Sequence, residues 1–543
     1  MSQQVTGSAH ILIVEEQPLA LSYMKQSLER LGYKALRFAE SANAAKELCK
    51  DQKFDLIICA FNLSKNQDGY QLYEELKVKK LIKGSTGFIF ISAETSGELV
   101  HSVLELHPDD FLVKPFNTFE LKSRIERIVK RKHALKSIYQ LIDDENYSKA
   151  IRAIDTKLVA NQGYAAVLLR LKGDSLLLQK HWEEAKTFFK SVLDIQKFTW
   201  ARIGLVEAMI GNNEHNLAHR MLKAMLERPE TRLVAYDLLS QLEIKLNQYD
   251  QAQEYLVAAT TMAPRNLDRQ ENLSQVAQIN HDYEQNYLTC RDIAKYAKHS
   301  VHDSPDVYLN AARASIDYAL TTDQTDSITR VTRQTTKYLN DLKQQFPDAH
   351  QQEQVDVLTA RLHYLNDEHQ KAKMLLEQLA SDDTPIRSID ASLDQAKAYH
   401  EVGFHTQAQA LYSKIIEHCE RYPERSSELQ LKSAIQQQTE RKELRMGPRE
   451  LNNHAVEKFS QGNYLLALEA FTQAFRVMPK NRSIALNLLQ CLYEGSIRQG
   501  MTFNQQLAKR CIDLLDASEL DGEMAQRYDK IKEKYISKHP QAS

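Results

Sequence analysis

Glycine and proline are scarce in this chain, 16 and 12 among 543 residues. With so few breakers, and with Leu, Ala, Gln, Lys and Glu abundant, the composition favours a mostly helical chain after a mixed first segment. Cysteine is equally thin. The six (Cys49, Cys59, Cys290, Cys419, Cys491 and Cys511) form no CxxC pair. That excludes a disulfide framework or a zinc ribbon and leaves buried, reduced thiols. No apolar run approaches the ~18 residues a membrane helix needs, and Met1 to His10 lacks a signal-peptide layout. Neither charge sign is in excess. A formal net charge of -2 supplies no broad basic field for nucleic acid or acidic membranes. HExxH, GxSxG, P-loop and GxGxxG patterns are all missing, so a metal site or an enzyme is not expected. The length implies two to four domains, and the expected setting is a bacterial cytoplasm.

What is present begins with short apolar runs. Ile11-Leu12-Ile13-Val14 ends at Glu15 and Glu16, and Leu56 to Cys59 ends at Ala60. Phe88 to Ile91 ends at Ser92, and Phe111-Leu112-Val113 ends at Lys114-Pro115. Each run reads as a strand buried on both faces of a parallel sheet. Helical spacing from Leu19 to Leu31 stops at Gly32. Strands alternating with helices indicate a doubly wound parallel α/β sheet. Ligands in such sheets sit at the carboxyl ends of the strands, which is where Glu15, Glu16, Ala60, Ser92 and Lys114 fall.

That series, with Asp68-Gly69 after the third run, resembles a bacterial response-regulator receiver domain over residues 9-131. The resemblance implies that Glu15 and Glu16 correspond to the family's magnesium-binding acids and Ala60 to its phosphoacceptor aspartate. Ser92 and Lys114 correspond to its phosphoryl-binding pair, and Phe111 to its switch aromatic. The departure at Ala60 is decisive, because alanine cannot be phosphorylated. Magnesium wants hard oxygen ligands in near-octahedral geometry. Losing one carboxylate removes a ligand and a charge together, and both remaining acids are the longer Glu. No cofactor is expected. Lys114, deprived of its anion, is expected to pair with Glu16 or Glu15 and lock the domain in one state. A smaller reading has the two acids merely capping the next helix, which leaves Ser92 and Lys114-Pro115 unexplained. Asp55 and Asp68 are placed too far from Lys114 to substitute as acceptors.

Beyond residue 134 the pattern is periodic. Aromatic-x-x-Ala units stand at Tyr147-Ala150, Trp182-Ala185, Tyr249-Ala252 and Tyr464-Ala467, with looser ones at Ala218, Asn286, Ala372 and Ala408. The intervals are 35, 33, 34, 34, 86, 36 and 59, and repeats of this length mean a solenoid. Small residues (Gly173, Ser240, Ser274, Ala360, Ala396 and Ala455) stand twelve before most anchors. This resembles a tetratricopeptide (TPR) array, whose paired helices need small side chains where they cross. The unit with Ala455, Ala467, Phe471, Ala474 and Pro479 matches best. The long intervals imply a divergent helix pair near Val307-Leu320 and Ile328-Leu342, and a polar helix from Ser426 to Arg445. Gly447-Pro448 then divides an array over 134-446 from a TPR-like module over 449-543.

A TPR solenoid has no chemistry of its own, and its concave face binds proteins. The groove positions (Arg170 and Asp174, Asp237 and Gln241, Val357 and Arg361, Leu393 and Lys397, Asn452 and Val456) do not reproduce the family's Lys-Asn carboxylate clamp. The expected function is therefore a non-catalytic adaptor of two-component, phosphorelay type. Partner proteins would dock on the TPR concave face and on the receiver surface around Gly97-Leu106, the last strand and Asn117-Val129. The alternatives are a ligand- or ion-responsive switch at the vestigial pocket and, disfavoured by charge, a nucleic-acid-associated regulator. Lys130-Arg131-Lys132 reads as the end of a helix. That helix continues into Ala134-Tyr139 with no Gly/Ser linker.

Overall fold

The computed structural model describes residues 8–63, 67–94, 97, 102–103, 105–160, 163–322, 325–347, 351–379, 386–444, 446–518, 520 and 522–538. It divides into two compact units. The first comprises Met1–Arg269 with Tyr296–Asp303, and the second Gln270–Lys295 with Ser304–Ser543. The division falls in the helical region, and Gly447-Pro448 lies inside the second unit.

The first unit opens with a five-stranded parallel sheet. Its strands are β1 (Ile11–Val14), β2 (Leu36–Ala39), β3 (Leu56–Ala60), β4 (Gly87–Ser92) and β5 (Asp110–Val113), in the order β2-β1-β3-β4-β5. β1, β3 and β4 are buried along their whole length, as expected of central strands covered on both faces. β2 is an edge strand with a mixed burial pattern. Helix α1 (Pro18–Arg30) starts on Pro18, which lacks only an N–H that a helix start leaves unpaired anyway. α2 (Ala42–Asp51) is capped by Ser41, and α3 (Gly69–Val78) by a reciprocal Asp68–Gln71 capping box. α4 (Thr118–Ala134) is followed after Leu135 alone by α5 (Lys136–Asp143), so no flexible linker separates sheet from solenoid.

The rest of the chain is helical. Many of its hairpins share one turn: a left-handed residue two positions before the second helix. Lys180, Asn213 and Asn247 precede Trp182, His215 and Tyr249 in the first unit. His281, Asp367, Gly403 and Gly462 do the same for Tyr283, His369, His405 and Tyr464 in the second. The aromatic-x-x-Ala anchors therefore mark the first turn of each second helix. Ala185, Ala252, Ala455 and Ala467 are fully buried. A Cβ on Gly173 would come within 2.5 Å of the Phe189 ring, so that crossing admits only glycine. Pro479 follows the helix Tyr464–Val477 and stops it.

Inside the second unit the successive first helices Pro305–Thr321, Gln352–Leu365 and Ile389–Glu401 satisfy one another through a buried charge cluster. Arg361 donates to Asp394 at 2.5 Å, Glu401 at 2.6 Å and Asp317 at 2.8 Å, and Lys397 donates to Asp317 at 2.6 Å. Among the described residues no helix is long and apolar enough to cross a membrane.

Candidate functional site

Parallel pairing sets the carboxyl ends of β1, β3, β4 and β5 side by side, and each end delivers one residue of the expected site. Ala60 closes β3 opposite Ile91, and the next amide, Phe61 N–H, donates to the Ile91 carbonyl at 2.8 Å. Ser92 closes β4, and Lys114 N–H donates to its carbonyl at 2.8 Å. The Lys114-Pro115 peptide is cis. Glu15 leaves β1, held by its amide on the Ala39 carbonyl at 3.1 Å.

Lys114 Nζ donates to Glu15 Oε2 at 2.9 Å, and the Gln17 amide donates to Glu15 Oε1 at 3.2 Å. Glu15 is only 6 % exposed, so its charge is balanced within the fold. Of the two acids expected to pair with Lys114, Glu15 makes the ion pair seen here. Glu16 lies half-buried beside it. Ser92 is buried, and its hydroxyl accepts from the Glu94 amide at 3.0 Å. Phe111 pairs in register with Phe90 and packs, half-buried, against the core that holds Tyr73 and Phe88.

Glu15, Ala60 and Lys114 line one pocket of about 450 Å3, whose remaining walls are largely apolar: Ile13, Ile58, Ile91, Tyr23 and Met24. Among the described residues no group of three or more His, Cys, Asp and Glu side chains is placed to hold a metal. The strand ends bring together the Lys114–Glu15 pair, Glu16 and the Ser92 hydroxyl, with an apolar wall beside the pair. Where the resemblance places the phosphoacceptor, the side chain present is the methyl group of Ala60.

The loop after Ala60 carries a second arrangement, which sequence reasoning missed. Asp68, capping α3, also accepts from Arg265, whose guanidinium lies 5.4 Å from the Phe61 ring centroid, 5.6 Å from Tyr70 and 6.0 Å from Tyr296. Gln71 Nε2 donates to the carbonyls of Tyr296 and Lys298, both at 3.1 Å. His302 Nε2 stands 3.3 Å from Glu74. Arg269 donates to both oxygens of Asp237, at 2.6 and 2.7 Å, and to Glu105. Burial lowers the Arg269 guanidinium pKa, but its carboxylate partners outweigh that and hold the net shift upward. The first unit is thus clamped by charge-assisted bonds from solenoid arginines to the sheet domain. No local pattern could have announced a pair 197 residues apart.

The expected partner surface is only partly visible. Residues 98–101 and 104, within Gly97–Leu106, lie outside the described residues. Of the rest, Ser102 and Val103 are buried and Glu105 is engaged by Arg269. In Asn117–Val129, Arg124 pairs with Asp110 at 2.5 Å and Glu120 at 2.7 Å, while Phe119 stands 81 % exposed. Two expected groove positions, Arg361 and Lys397, are buried in the charge cluster of the second unit.

Residues 11–126 match the family of the response regulator receiver domain. The transcriptional activator protein IrlR of Burkholderia pseudomallei is 30% identical over 175 residues, spanning 31% of this chain and 73% of that protein. The transcriptional regulatory protein YvrH of Bacillus subtilis is 31% identical over 129 residues, 24% of this chain and 52% of its own length. A solved signal receiver domain of a signal transduction histidine kinase from Syntrophus aciditrophicus is 27% identical. It covers 23% of this chain and 91% of that one, with a TM-score of 0.21.

Proposed function

This chain belongs to the response-regulator family through the receiver domain at its N-terminus, and from that premise we propose that it is a non-catalytic signalling adaptor. In this reading the domain is a pseudo-receiver that has lost its acceptor aspartate at Ala60 and binds no magnesium. The helical region is a TPR scaffold, and the protein assembles partners in a bacterial cytoplasm without enzymatic activity. The observation that carries the reading is the Lys114–Glu15 pair. It gives the lysine that would neutralise a phosphoryl group a carboxylate partner within the fold. Signalling then passes through contacts, and the Arg265 and Arg269 clamp supplies a route from receiver to solenoid.

Partners, on this proposal, dock where the solenoid is not already self-satisfied. Arg361 and Lys397 are taken up internally. Arg170 and Asp174 in the first unit pair with each other across one helix turn, at 3.9 Å, and stay exposed, as does Val456 in the second. Although IrlR and YvrH are named as transcriptional regulators, the net charge of -2 gives this chain no general field for DNA.

The test is titration of the full chain with magnesium and beryllofluoride, read by methyl NMR at Ile91 and by acetyl-phosphate labelling. No saturable shift and no label are expected. A magnesium-dependent shift at Ile91 would overturn the locked pseudo-receiver. It would favour the second reading, a ligand-responsive switch, for which the apolar pocket of about 450 Å3 beside Ala60 is the specific support.

A further inference from the structure

At the opposite, amino-terminal edge of the sheet, the receiver meets the helices that lead into the solenoid. A pocket of about 440 Å3 opens there, lined by Lys53, Lys83, Lys132, His133 and Lys136 together with Asp55 and Asp143. Its size is that of a small-molecule site. Its charge is lopsided. Both acids already accept backbone amides: Asp55 from His10 at 2.9 Å, and Asp143 from Gly84 at 3.2 and 3.0 Å. Lys132 is held by the Gly84 carbonyl at 2.8 Å and Asp109 at 3.1 Å, with its ammonium 4.6 Å from the Tyr139 ring centroid.

Lys53, Lys83 and Lys136 are different. Among the described residues no carboxylate pairs with any of them. Their neighbours show that this is not the habit of the domain. Lys46 is paired with Glu75, Lys130 with Glu126, and Arg124 with Asp110. In a chain whose net charge is -2, four lysines against two acids line this cavity. The three exposed lysines without a carboxylate partner among the described residues give it a local excess of positive charge that an entering anion offsets. The lining offers no open aromatic face for a nucleobase, since Phe54 is 6 % exposed and belongs to the sheet core. It offers the hydroxyl of Ser85 as a further donor. Lysine ammoniums are point charges suited to phosphate groups.

We propose that this junction pocket binds a small anion carrying two or more phosphate-type groups, recognised by charge through Lys53, Lys83, Lys132 and Lys136. Lys53 and Lys83 belong to the sheet domain, whereas Lys132 and Lys136 belong to the connecting helices. The ligand therefore staples the receiver to the start of the solenoid at the elbow around Leu135. This site is independent of the pocket at Ala60 and does not require the adaptor reading.

The probe is inorganic pyrophosphate, titrated calorimetrically into the full chain at low ionic strength, with ADP as a second arm. Saturable one-to-one binding is expected, weakening as salt rises. Lys53→Glu combined with Lys83→Glu should weaken it at least tenfold. Lys136→Gln, a milder change on the other side of the junction, should weaken it severalfold. Lys50→Glu, at an exposed lysine outside the pocket, should leave it unchanged. Equal affinity for ADP and pyrophosphate supports recognition of the phosphates alone. Binding of ADP but not pyrophosphate overturns the proposal. So does the lack of saturation by millimolar pyrophosphate, or binding that Lys136→Gln and the double variant leave untouched.

Discussion

Lys114 and Glu15, 99 residues apart in the chain, meet at 2.9 Å across the carboxyl edge of the sheet. Glu15 is nearly buried, whereas Lys114 keeps about a third of its side chain exposed. The pair is therefore asymmetric. Removing the lysine strands a buried carboxylate, while removing the carboxylate frees a lysine that can still reach water. Lys114→Met is expected to destabilise the receiver by about 1–3 kcal/mol, and Glu15→Gln by about 1 kcal/mol or less. Urea denaturation of the two variants measures the difference, and the opposite order would show that the lysine is the desolvated partner.

The clamp makes a kinetic prediction. Arg265 combines a charged hydrogen bond to Asp68 with three aromatic neighbours, a combination worth about 1–3 kcal/mol. Arg265→Ala should make backbone amides at residues 68–72 and 296–298 exchange with solvent about 10–100-fold faster. Protection at Leu12 and Ile57 in the sheet core should stay as it is. Uniform loss across the sheet would mean that Arg265 supports the receiver fold itself.

How far these features could be read from sequence depends on the range of the interaction. β1, β3 and β4 were legible because strands buried on both faces are unbroken apolar runs. β5 was legible from its apolar run Phe111-Leu112-Val113, but it proves to be an edge strand in which only Leu112 is buried. β2, Leu36-Arg37-Phe38-Ala39, escaped because it is only four residues long and Arg37 interrupts its apolar run. The hairpin anchors at Ala185, Ala252 and Ala467 were legible because each repeat packs on its immediate neighbour. The site residues could be placed at strand ends, but the choice of Glu15 over Glu16 as partner depends on side-chain direction, which alternates along a strand. Arg265, Arg269 and the Arg361 cluster left no trace, since charged residues in helices ordinarily read as solvated faces.

Arg361 tests whether the buried cluster holds the second unit together. It is 2 % exposed and contacts three carboxylates. Burial pushes Asp317 upward, but Lys397 and Arg361 outweigh it, so its pKa lies far below the usual carboxylate range. Arg361→Ala leaves Asp317, Asp394 and Glu401 facing one another and should cost about 3–5 kcal/mol. Arg361→Lys should recover little of it, because one ammonium cannot serve three acceptors in the guanidinium's fork geometry. Equilibrium denaturation of the full chain, followed through exchange in Gln352–Leu365, reads both.

His400 gives the same unit a pH dependence of definite sign. Its ring is 5 % exposed, and Nε2–H donates to the Leu444 carbonyl at 2.7 Å, a bond the neutral imidazole makes. Burial, reinforced by the Arg441 charge, pushes its pKa down to about 4. His405, 5.0 Å away ring to ring, adds to the same effect. Between the unfolded value near 6.5 and about 4, the unfolded chain binds more protons than the folded one. Stability therefore falls as pH drops through that window and is level again below it, a change of about 3 kcal/mol. His400→Gln keeps an N–H donor for Leu444 but cannot titrate. Comparing urea midpoints at pH 7.5 and 4.5 should show a smaller acid loss for the variant than for the native chain. Equal losses would mean that the carboxylates of the unit, and not His400, govern its response to acid.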